Sequence, residues 1–396
     1  MSLDPRTEAA YRVVEDYLGA ERGRVARPPE GALRRSYVDP ASVYRGQLWD
    51  WDAYFTLLAL TPHLDDTTVV RGCVLNFLDH QRADGSIPYV IGVDGADAHG
   101  PRGPDAPMNP AKPVLAQLAL LSSDPAAWAG EALPGLRRHV AHWEETQRHA
   151  SGLFRWRSHR GSGADNHPAV YGRPLDATAG VDLNCLMVAE YGALAHLHAL
   201  AGDPVRAPHY GERQEQLAER VRRLLWDPVM TDFCHADTLT STPPGTTQRA
   251  EWLVPLRYRS WVGFYALWAG VAAPDQAAAL VEGCELFCDF GIRTLSRREP
   301  LYNVTATANP SNWQGPVWVV ANYIAFAGLL RYGYTSHARR IVEGTLAMLA
   351  GDLERTGTLH EYYDPDSGRG IHGPGFLNWN FLATTMYETY CDDASG

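Results

Sequence analysis

Apolar residues recur at intervals of three and four along most of the chain, which is the periodicity of a helix with one buried face. Gly, Pro, Asp and Ser mark the ends of these segments. Residues 65–67 and 335–336 supply side-chain oxygens that can accept hydrogen bonds from the unpaired backbone N–H groups of a helix's first turn. The pattern predicts helices over residues 5–22, 49–62, 66–81, 110–123, 125–147, 179–201, 204–226, 257–272, 274–288, 314–332, 335–350 and 375–390.

The predicted helices alternate in character along the chain. Segments 125–147 and 204–226 carry a clearly charged face, whereas 110–123, 257–272 and 314–332 are apolar nearly all round. Amphipathic helices are expected outside and apolar helices inside. This alternation predicts an all-α fold in which two concentric rings of helices form an (α/α)6 barrel. A superhelical solenoid is a weaker alternative, because no close internal repeat is present.

The segments between these helices include two long loops, residues 82–108 and 148–178, which are rich in Gly, Pro and Asp and also in aromatic residues. Loops of this length and composition usually carry function, and we expect them to wall a pocket at one end of the barrel. No shift in composition marks a boundary, so residues 1–396 are predicted to form one (α/α)6-barrel domain.

The overall charge argues against a polyanionic partner. Lys and Arg number 35 against 46 Asp and Glu, for a net charge of −11, whereas phosphate-backbone binding needs a basic face. No stretch approaches 18 uninterrupted apolar residues, and no basic segment leads into an apolar run. We therefore expect no nucleic-acid partner, no membrane partner and a cytoplasmic location. Oligomeric state cannot be read from the sequence.

The site chemistry is concentrated in four segments that combine aromatic residues with carboxylates and amides: "YRGQLWDWD" at 44–52, "GSGADNHPAVY" at 161–171, "NPSNWQGPVW" at 309–318 and "LHEYYDPDSGRGIHGPGFLNWN" at 359–380. Aromatic rings stack on the C–H faces of sugars, and sugar hydroxyls need both donors and acceptors. The composition of these segments indicates a carbohydrate ligand. Cleaving a glycosidic bond then requires two carboxyl groups, one protonated and one ionised.

Asp165 and Glu361 rank first among the carboxyl groups of these segments. Each lies in a loop with few competing charges and with aromatic or Gly neighbours that can exclude water, which raises a carboxyl pKa. The aspartates of "DPDSG", 364–368, are typical of a turn. Asp50 and Asp52 are expected to accept hydrogen bonds from two hydroxyls of one sugar.

Four motifs in order resemble glycoside hydrolase family 63 and its relatives among the trehalases, the mannosylglycerate and glucosylglycerate hydrolases and the bacterial α-glucosidases. "WDWD" at 49–52 resembles the sugar-gripping strip of the family, and "GADN" at 163–166 its Gly-x-Asp general-acid loop. "NWQGPVW" at 312–318 is similar to the Trp-x-Gly-Pro-x-Trp segment, and "HEYYDP" at 360–365 to the general-base segment. The resemblance extends from about residue 44 to residue 382.

The resemblance implies an (α/α)6 barrel and an inverting hydrolase of α-linked sugars. A compact barrel suits a small soluble glycoside, from which we expect an α-linked glucosyl or mannosyl residue to be released. The residue spacing expected for a zinc site is absent, and we expect no metal or cofactor. Matching the family's motifs to this sequence makes Asp165 the general acid and Glu361 the general base that acts through a water molecule. In an inverting enzyme the two carboxyl groups are expected to lie about 6.5–9.5 Å apart. The candidate substrate-binding residues are Tyr44, Trp49, Asp50, Trp51, Asp52, Lys112, Gly163, Asn166, Trp313, Gln314, Gly315, Trp318, Tyr363 and Trp379.

One loop departs from the pattern of the sugar–glycerate hydrolases. Those enzymes resemble one another in a Gln-Pro-Pro loop and an arginine near the leaving group, but here the loop reads "MNPAKPVLAQ" at 108–117 and no arginine occurs in 180–197. We expect Lys112 to contact a sugar hydroxyl or an anion instead. The identity of the leaving group stays open.

Several interpretations remain open at this stage. Trp318 can serve packing as well as ligand contact, and Asn184 can lie in the core or face the pocket. Histidines 159, 167, 360 and 372 fall in or near the site loops without the spacing of a zinc site. An (α/α)6 sugar epimerase that moves protons with paired histidines is therefore one alternative, and a non-catalytic sugar-binding protein is another.

Overall fold

The computed structural model describes residues 4–95, 108–239, 253–305 and 310–393. In this part of the chain the α-helices are α1 (Pro5–Val25), α2 (Asp50–Leu60), α3 (Thr68–Asp79), α4 (Leu115–Ala119), α5 (Ala126–Thr146), α6 (His159–Ser162), α7 (Val181–Leu200), α8 (Arg206–Leu224), α9 (Phe264–Trp268), α10 (Pro274–Glu282), α11 (Val319–Arg331), α12 (Thr335–Thr356) and α13 (Leu382–Asp393).

Within the described residues, six of these helices close into an inner ring. Helix α2 contacts α4, α4 contacts α7, α7 contacts α9, α9 contacts α11, α11 contacts α13, and α13 returns to α2. Helices α1, α3, α5, α8 and α12 each pack against at least one inner helix, and α10 follows α9 in the same alternation. This arrangement confirms the predicted (α/α)6 barrel. That residues 1–396 form one domain stays a prediction.

The burial of individual helices follows the sequence pattern. Helix α7, in the inner ring, buries residues on all of its faces, from Val181 to His198. Helix α8, which packs against it from outside, buries Tyr210, Leu217 and Val221 and exposes a charged face. An apolar surface all round needs neighbours on every side, whereas a single apolar stripe needs a neighbour on one side.

Prolines and glycines shorten several predicted helices. The segment 110–123 is helical over Leu115–Ala119, because Pro110 is extended opposite Pro88 and Pro113 cannot donate a backbone hydrogen bond. The segment 314–332 becomes helical at Val319, after Gly315 and Pro316. Gly315 has φ +141, which residues with a side chain rarely adopt.

Other boundaries differ for similar local reasons. The segment 257–272 is helical over Phe264–Trp268, after a 3₁₀ turn at Trp261–Gly263. The segment 274–288 ends at Glu282 because Phe287–Cys288 forms a strand. The helix predicted over 335–350 continues to Thr356 and ends at Gly357, whose φ is +70. The last segment, 375–390, begins with the 3₁₀ turn Asn378–Phe381 before α13.

The sequence pattern missed a set of short antiparallel strands in the loops: β1 (Ala26–Arg27), β2 (Tyr37–Val38), β3 (Gln47–Trp49), β4 (Val90–Gly92), β5 (Arg155–Trp156), β6 (Thr178–Ala179), β7 (Trp226–Asp227), β8 (Asp232–Phe233), β9 (Ala236–Asp237), β10 (Val254–Pro255), β11 (Phe287–Cys288), β12 (Gly291–Ile292), β13 (Tyr362–Tyr363) and β14 (Gly370–His372). Strand β3 pairs with β4 with Leu48 opposite Ile91. Strands β10, β9, β6 and β5 form one sheet in that order.

These strands lead the chain into the inner helices. Strand β3 runs directly into α2, and β6 ends two residues before α7. Of the predicted pocket-walling loop 82–108, residues 96–107 lie outside the described part. Among the helices that the structure describes, none combines the length and apolarity required to cross a bilayer.

Candidate active site

A cavity of about 470 Å³ lies where the segments that precede the inner helices meet. Its wall comes from the start of α2, the segment before α4, the α6 region, the segment before α11 and the two segments before α13. The described residues that line it are Tyr44, Trp49, Trp51, Asp52, Tyr89, Lys112, His159, Arg160, Gly163, Asp165, Tyr171, Pro310, Ser311, Trp313, Trp318, Glu361 and Trp379. The predicted acid and base therefore border the same cavity.

The two aspartates at the start of α2 have different environments. Asp50 is fully buried, and its carboxylate accepts hydrogen bonds from the backbone N–H of Trp51 at 2.6 Å and of Lys112 at 2.7 Å. The Lys112 ammonium, on a side chain that is 1% exposed, lies 3.3 Å from the same carboxylate and 4.9 Å from the centroid of the Trp51 ring. Asp50 is thus a paired buried charge, and its side chain lies behind the cavity wall.

Asp52 borders the cavity itself. The amide of Asn378 donates a hydrogen bond to its carboxyl group. Burial raises the pKa of Asp52 to about 7, the negative charge of Asp50 contributes to the rise, and the positive charge of Lys112 opposes it. Asp52 therefore carries a proton part of the time at neutral pH.

Glu361 is held at the edge of a β-hairpin. Its backbone N–H donates to the carbonyl of His372 at 2.8 Å, next to the pairing of β13 with β14. The Tyr44 hydroxyl lies 3.2 Å and 3.4 Å from the two carboxyl oxygens. Burial raises the pKa of Glu361 to about 8; the hydrogen bond from Tyr44 lowers it, and the charges of Asp52 and Asp165 raise it.

Asp165 follows a tight turn that only glycine fits well. Gly163 has φ +77, and a Cβ atom there would approach the Trp51 ring to 2.8 Å. The residue after Asp165 ties this loop to the segment before α11. The Asn166 side chain accepts a hydrogen bond from the backbone N–H of Trp313 at 2.7 Å and donates one to the Asn312 side chain at 3.0 Å. Asp165 is left partly exposed at the cavity wall.

Most predicted binding residues line this cavity, but some do not. Five of them are not among the described lining residues: Asp50, Asn166, Gln314, Gly315 and Tyr363. The Gln314 amide donates to the carbonyl of Asn166 at 3.0 Å, and the fully buried Tyr363 hydroxyl accepts from the backbone N–H of His360 at 3.0 Å. These side chains support the site through the backbone of their neighbours. Direct substrate contact by them is not favoured by this geometry.

Stacked tryptophans form one side of the cavity. The rings of Trp313 and Trp318 are 3.9 Å apart and nearly parallel, at 11°. Trp318 stacks in turn on Tyr362 at 4.7 Å, and Trp51 meets Trp379 edge-on at 5.5 Å. Trp318 therefore packs and also borders the cavity.

Asn184 lies in the core, which resolves one of the alternatives left open by the sequence. Its side-chain amide accepts from the backbone N–H of Phe154 and donates to the carbonyl of the same residue, both at 2.8 Å. The side chain is fully buried and does not belong to the described cavity lining. Its amide therefore ties α7 to the loop that contains Phe154.

Residues 45–379 match the family model described as the mannosylglycerate hydrolase MGH1-like glycoside hydrolase domain. The chain belongs to this family. The match confirms the resemblance drawn from the four sequence motifs.

Individual relatives agree with the family. The chain is 32% identical over 120 residues to mannosylglycerate hydrolase MGH1 of Selaginella moellendorffii, a match that covers 30% of this chain and 22% of that protein. It is 31% identical over 127 residues to the mannosylglycerate hydrolase of Thermus thermophilus, covering 32% of this chain and 28% of that protein. These matched segments thus span under a third of the curated relatives.

The fold similarity extends further than the sequence similarity. The crystal structure of a family 63 mannosylglycerate hydrolase from Thermus thermophilus, described in complex with glucose, superposes with a TM-score of 0.71 at 22% identity. The superposition covers 95% of this chain and 100% of that one. At this identity the comparison establishes the shared barrel.

Other cavity residues in this glycoside hydrolase domain went unpredicted, notably Arg160, Tyr171, Pro310 and Ser311. The available signal was their position in or beside the aromatic-rich loop segments 148–178 and 309–318. Among the described residues, no three His, Cys, Asp or Glu side chains are grouped in a way that could hold a metal ion. The cavity instead offers carboxyl groups, one buried ammonium and aromatic faces, which suit proton transfer to and from a bound sugar.

Proposed function

We propose that the protein is an inverting glycoside hydrolase that releases an α-linked glucosyl or mannosyl residue from a small soluble glycoside. Asp165 donates a proton to the leaving oxygen, and Glu361 activates the attacking water. The observation that carries this proposal is that both carboxyl groups line one cavity whose wall is largely aromatic. Membership in the glycoside hydrolase family supports the same activity.

The protonation states of the carboxyl groups in the cavity set a condition on this mechanism. A general base must lose its proton before it can take one from water. With a pKa of about 8, Glu361 holds its proton at neutral pH in the empty site. The assigned roles need Glu361 ionised while Asp165 is protonated. We therefore expect one limb of the pH profile of kcat/KM, which reports the free enzyme, to have its midpoint near this value.

Substrates that differ in leaving group distinguish the proposed roles. A glycosyl fluoride needs little help from an acid, because fluoride leaves without a strong proton donor. Asp165→Asn should lose about 10²–10⁴-fold activity on an ordinary glycoside and much less on the matching fluoride. Glu361→Gln should lose activity on both. If the two variants behave in the opposite way, their roles are exchanged, and if both retain full activity, neither residue is catalytic.

The leaving group is proposed from the cations that border the cavity. Lys112 is already paired with Asp50, whereas the exposed Arg160 side chain makes no hydrogen bond or ion pair with the described residues. A Thermus thermophilus family 63 hydrolase is described in complex with D-glycerate. We therefore include carboxylated glycosides in the expected range and propose Arg160 as the residue that faces the carboxylate.

A substrate panel tests this range directly. Mannosylglycerate, glucosylglycerate, trehalose, kojibiose and nigerose should be incubated with the enzyme, and the anomer first released read by NMR. Inversion predicts the β-anomer from these α-linkages. Arg160→Gln should raise KM for the glycerate conjugates and leave KM for the neutral disaccharides unchanged. A retained α-anomer would contradict the inverting mechanism.

The histidine arrangement disfavours the epimerase alternative. His167 is buried with its Nε2 2.9 Å from the Ser260 hydroxyl, and His360 lies 2.7 Å from the buried Asp352. Among the described lining residues, His159 is the one histidine. His372 is not among the described lining residues, and its Nε2 lies 3.9 Å from the Glu361 carboxylate, which is itself a proposed catalytic group. The described lining therefore does not present a pair of histidines to a bound sugar. Cytoplasmic location stays a prediction from the sequence.

A further inference from the structure

A second, smaller cavity of about 90 Å³ shares no described lining residue with the proposed active site. It lies between α8, α7 and the turn that precedes β5. Three arginines line it, Arg148, Arg213 and Arg220, above a buried floor that includes Phe154 and Leu217. We call it the arginine cavity.

The local structure explains why these arginines converge. Arg213 and Arg220 are seven positions apart on α8, two helical turns, so they share one face. Arg148 is held in the turn by the pairing of its backbone with Phe154. Gly152 closes that turn with φ +84, and a Cβ there would lie 2.5 Å from Nε of Arg220. A glycine thus lets the Arg220 side chain pack across the turn.

The three arginines differ in the partners that the described structure gives them. Arg213 contacts Glu144, whose carboxylate also accepts from the Tyr191 hydroxyl at 2.6 Å. Arg220 donates to the backbone carbonyl of Gln216 at 3.0 Å. The Arg148 side chain has no hydrogen bond or ion pair with the described residues, and no described lining residue is acidic.

Glu144 compensates the charge of Arg213, whereas the exposed Arg148 adds a like charge to the same cavity without a carboxylate partner among the described residues. Gathering like charges costs free energy unless an anion compensates them. A cluster of arginines is unexpected in a protein with a net charge of −11, because its acidic residues outnumber its basic ones. The guanidinium group presents planar, paired donors that match the oxygens of phosphate and carboxylate groups. We propose that the arginine cavity binds a small oxyanion of the phosphate class, either free phosphate or the end of a phosphomonoester. This proposal does not depend on the hydrolase activity.

Thermal unfolding of the full chain tests the proposal, with inorganic phosphate as the probe and sodium chloride added to keep ionic strength constant. A ligand that binds the folded state raises Tm in a saturable way. Arg148→Gln should weaken the apparent phosphate affinity about tenfold, the usual scale for losing one hydrogen bond to a charged group. Arg148→Lys, which keeps the charge but not the planar fork, should recover part of it.

The matched control is Arg12→Gln on α1, which removes the same charge from a 77% exposed side chain outside this cavity. It should leave the phosphate response unchanged. An equal Tm rise in the wild-type protein and both glutamine variants would mean a general salt effect and would overturn the proposal, as would the absence of any rise. Glycerol phosphate in a parallel series separates the two sources: tighter binding than inorganic phosphate assigns the site to a phosphomonoester, and weaker binding to free phosphate.

Discussion

The hydroxyl group of Tyr44 lies within hydrogen-bonding distance of both carboxyl oxygens of Glu361, at 3.2 Å and 3.4 Å. The loop that carries Tyr44 adopts an uncommon backbone, because Ala41 and Ser42 have φ of +65 and +53. Two hydrogen bonds from the backbone N–H groups of Ala41 and Gly46 to the buried Asp39 hold this loop. The fold thus stabilises an unfavourable backbone where the tyrosine meets the proposed base.

Tyr44→Phe tests whether this contact tunes the proposed base. The hydrogen bond favours the ionised form of Glu361 and lowers its pKa, so its loss should raise that pKa above the present value of about 8. The pH midpoint of kcat/KM should move upward by about one unit. Thermal stability serves as the control and should change little. A midpoint that stays in place would mean that another group sets the profile.

Glu361→Gln should change how stability depends on pH. The folded-state pKa of Glu361, about 8, lies above its ordinary value of 4.5, so between these values the folded chain holds a proton that the unfolded chain has released. This group therefore costs stability as pH rises through that window. The glutamine variant should be more stable than the wild type at pH 8, by on the order of a few kcal/mol, with a smaller difference at pH 4.

Denaturant unfolding at the two pH values measures this difference. Asp165→Asn is the natural comparison, because it neutralises a carboxyl group in the same cavity that is partly exposed. Equal stability of Glu361→Gln and wild type at both pH values would show that the carboxyl group is not desolvated as described.

Two buried histidines next to the Asp165 segment should make the protein acid-sensitive. Burial lowers the pKa of His167 and His235 to about 3, while each unfolded histidine titrates near 6.5. Their ring nitrogens already accept hydrogen bonds: Nδ1 of His167 accepts from the N–H of Ala169, and Nδ1 of His235 accepts from that of Val181. Because the unfolded chain binds more protons, stability should fall as pH drops from about 6.5 towards 3.

His167→Gln keeps an amide that can still donate towards Ser260, and it removes one titrating group. The variant should lose less stability between pH 6.5 and pH 4 than the wild type, by on the order of 3 kcal/mol. Unfolding curves across that range provide the measurement, and His209→Gln on the outer helix α8 is the control. Parallel pH dependences of all three proteins would contradict the prediction.

The Lys112–Asp50 pair offers a test of coupling between neighbours. Lys112→Met leaves the Asp50 carboxylate buried without its cation, which should destabilise the protein by about 3–5 kcal/mol. Asp50→Asn alone should also destabilise, because the ammonium is then unpaired. The double variant should be much more stable than the sum of the two losses implies. Additive losses in denaturant unfolding would show that the pair is not coupled.

The barrel was predictable from sequence because its signal is repeated in every helix. The alternation between wholly apolar segments such as 314–332 and one-sided segments such as 204–226 reports which neighbours each helix has. Helix ends were less predictable, since Pro113 and Gly315 act through backbone geometry that periodicity does not encode. The two-residue strands are set by tertiary pairing and leave almost no local pattern.

The site was predictable to the level of segments and less so to the level of side chains. Motifs identified which loops meet at the cavity, but a motif cannot tell which of its residues faces inward. Asp50 and Asp52 are two positions apart in "WDWD", and one is sealed behind the wall by Lys112 while the other borders the cavity. Arg160 lies outside the sequence motifs, and it reaches the cavity because of where the short helix α6 lies.

Asp52 therefore provides the sharpest test of function against packing at the opening of α2. Its pKa of about 7 lies above the ordinary 3.8, mainly because of burial. The carboxyl group therefore ionises less readily in the folded chain than in the unfolded chain, and it lowers the stability of the fold above about pH 4. Asp52→Ala removes that cost but leaves the Asn378 amide without its acceptor, and the net change in stability should be small or slightly favourable. Turnover and substrate affinity should both fall, because an acceptor for a sugar hydroxyl is lost at the cavity.

Asp52→Asn keeps an acceptor oxygen. This variant should match the wild type in stability near pH 4 and exceed it at pH 8, because the wild-type carboxyl group resists ionisation between these values. Calorimetry together with kcat and KM separates the effects, and an Asp52→Ala variant that fails to fold would assign the residue to packing.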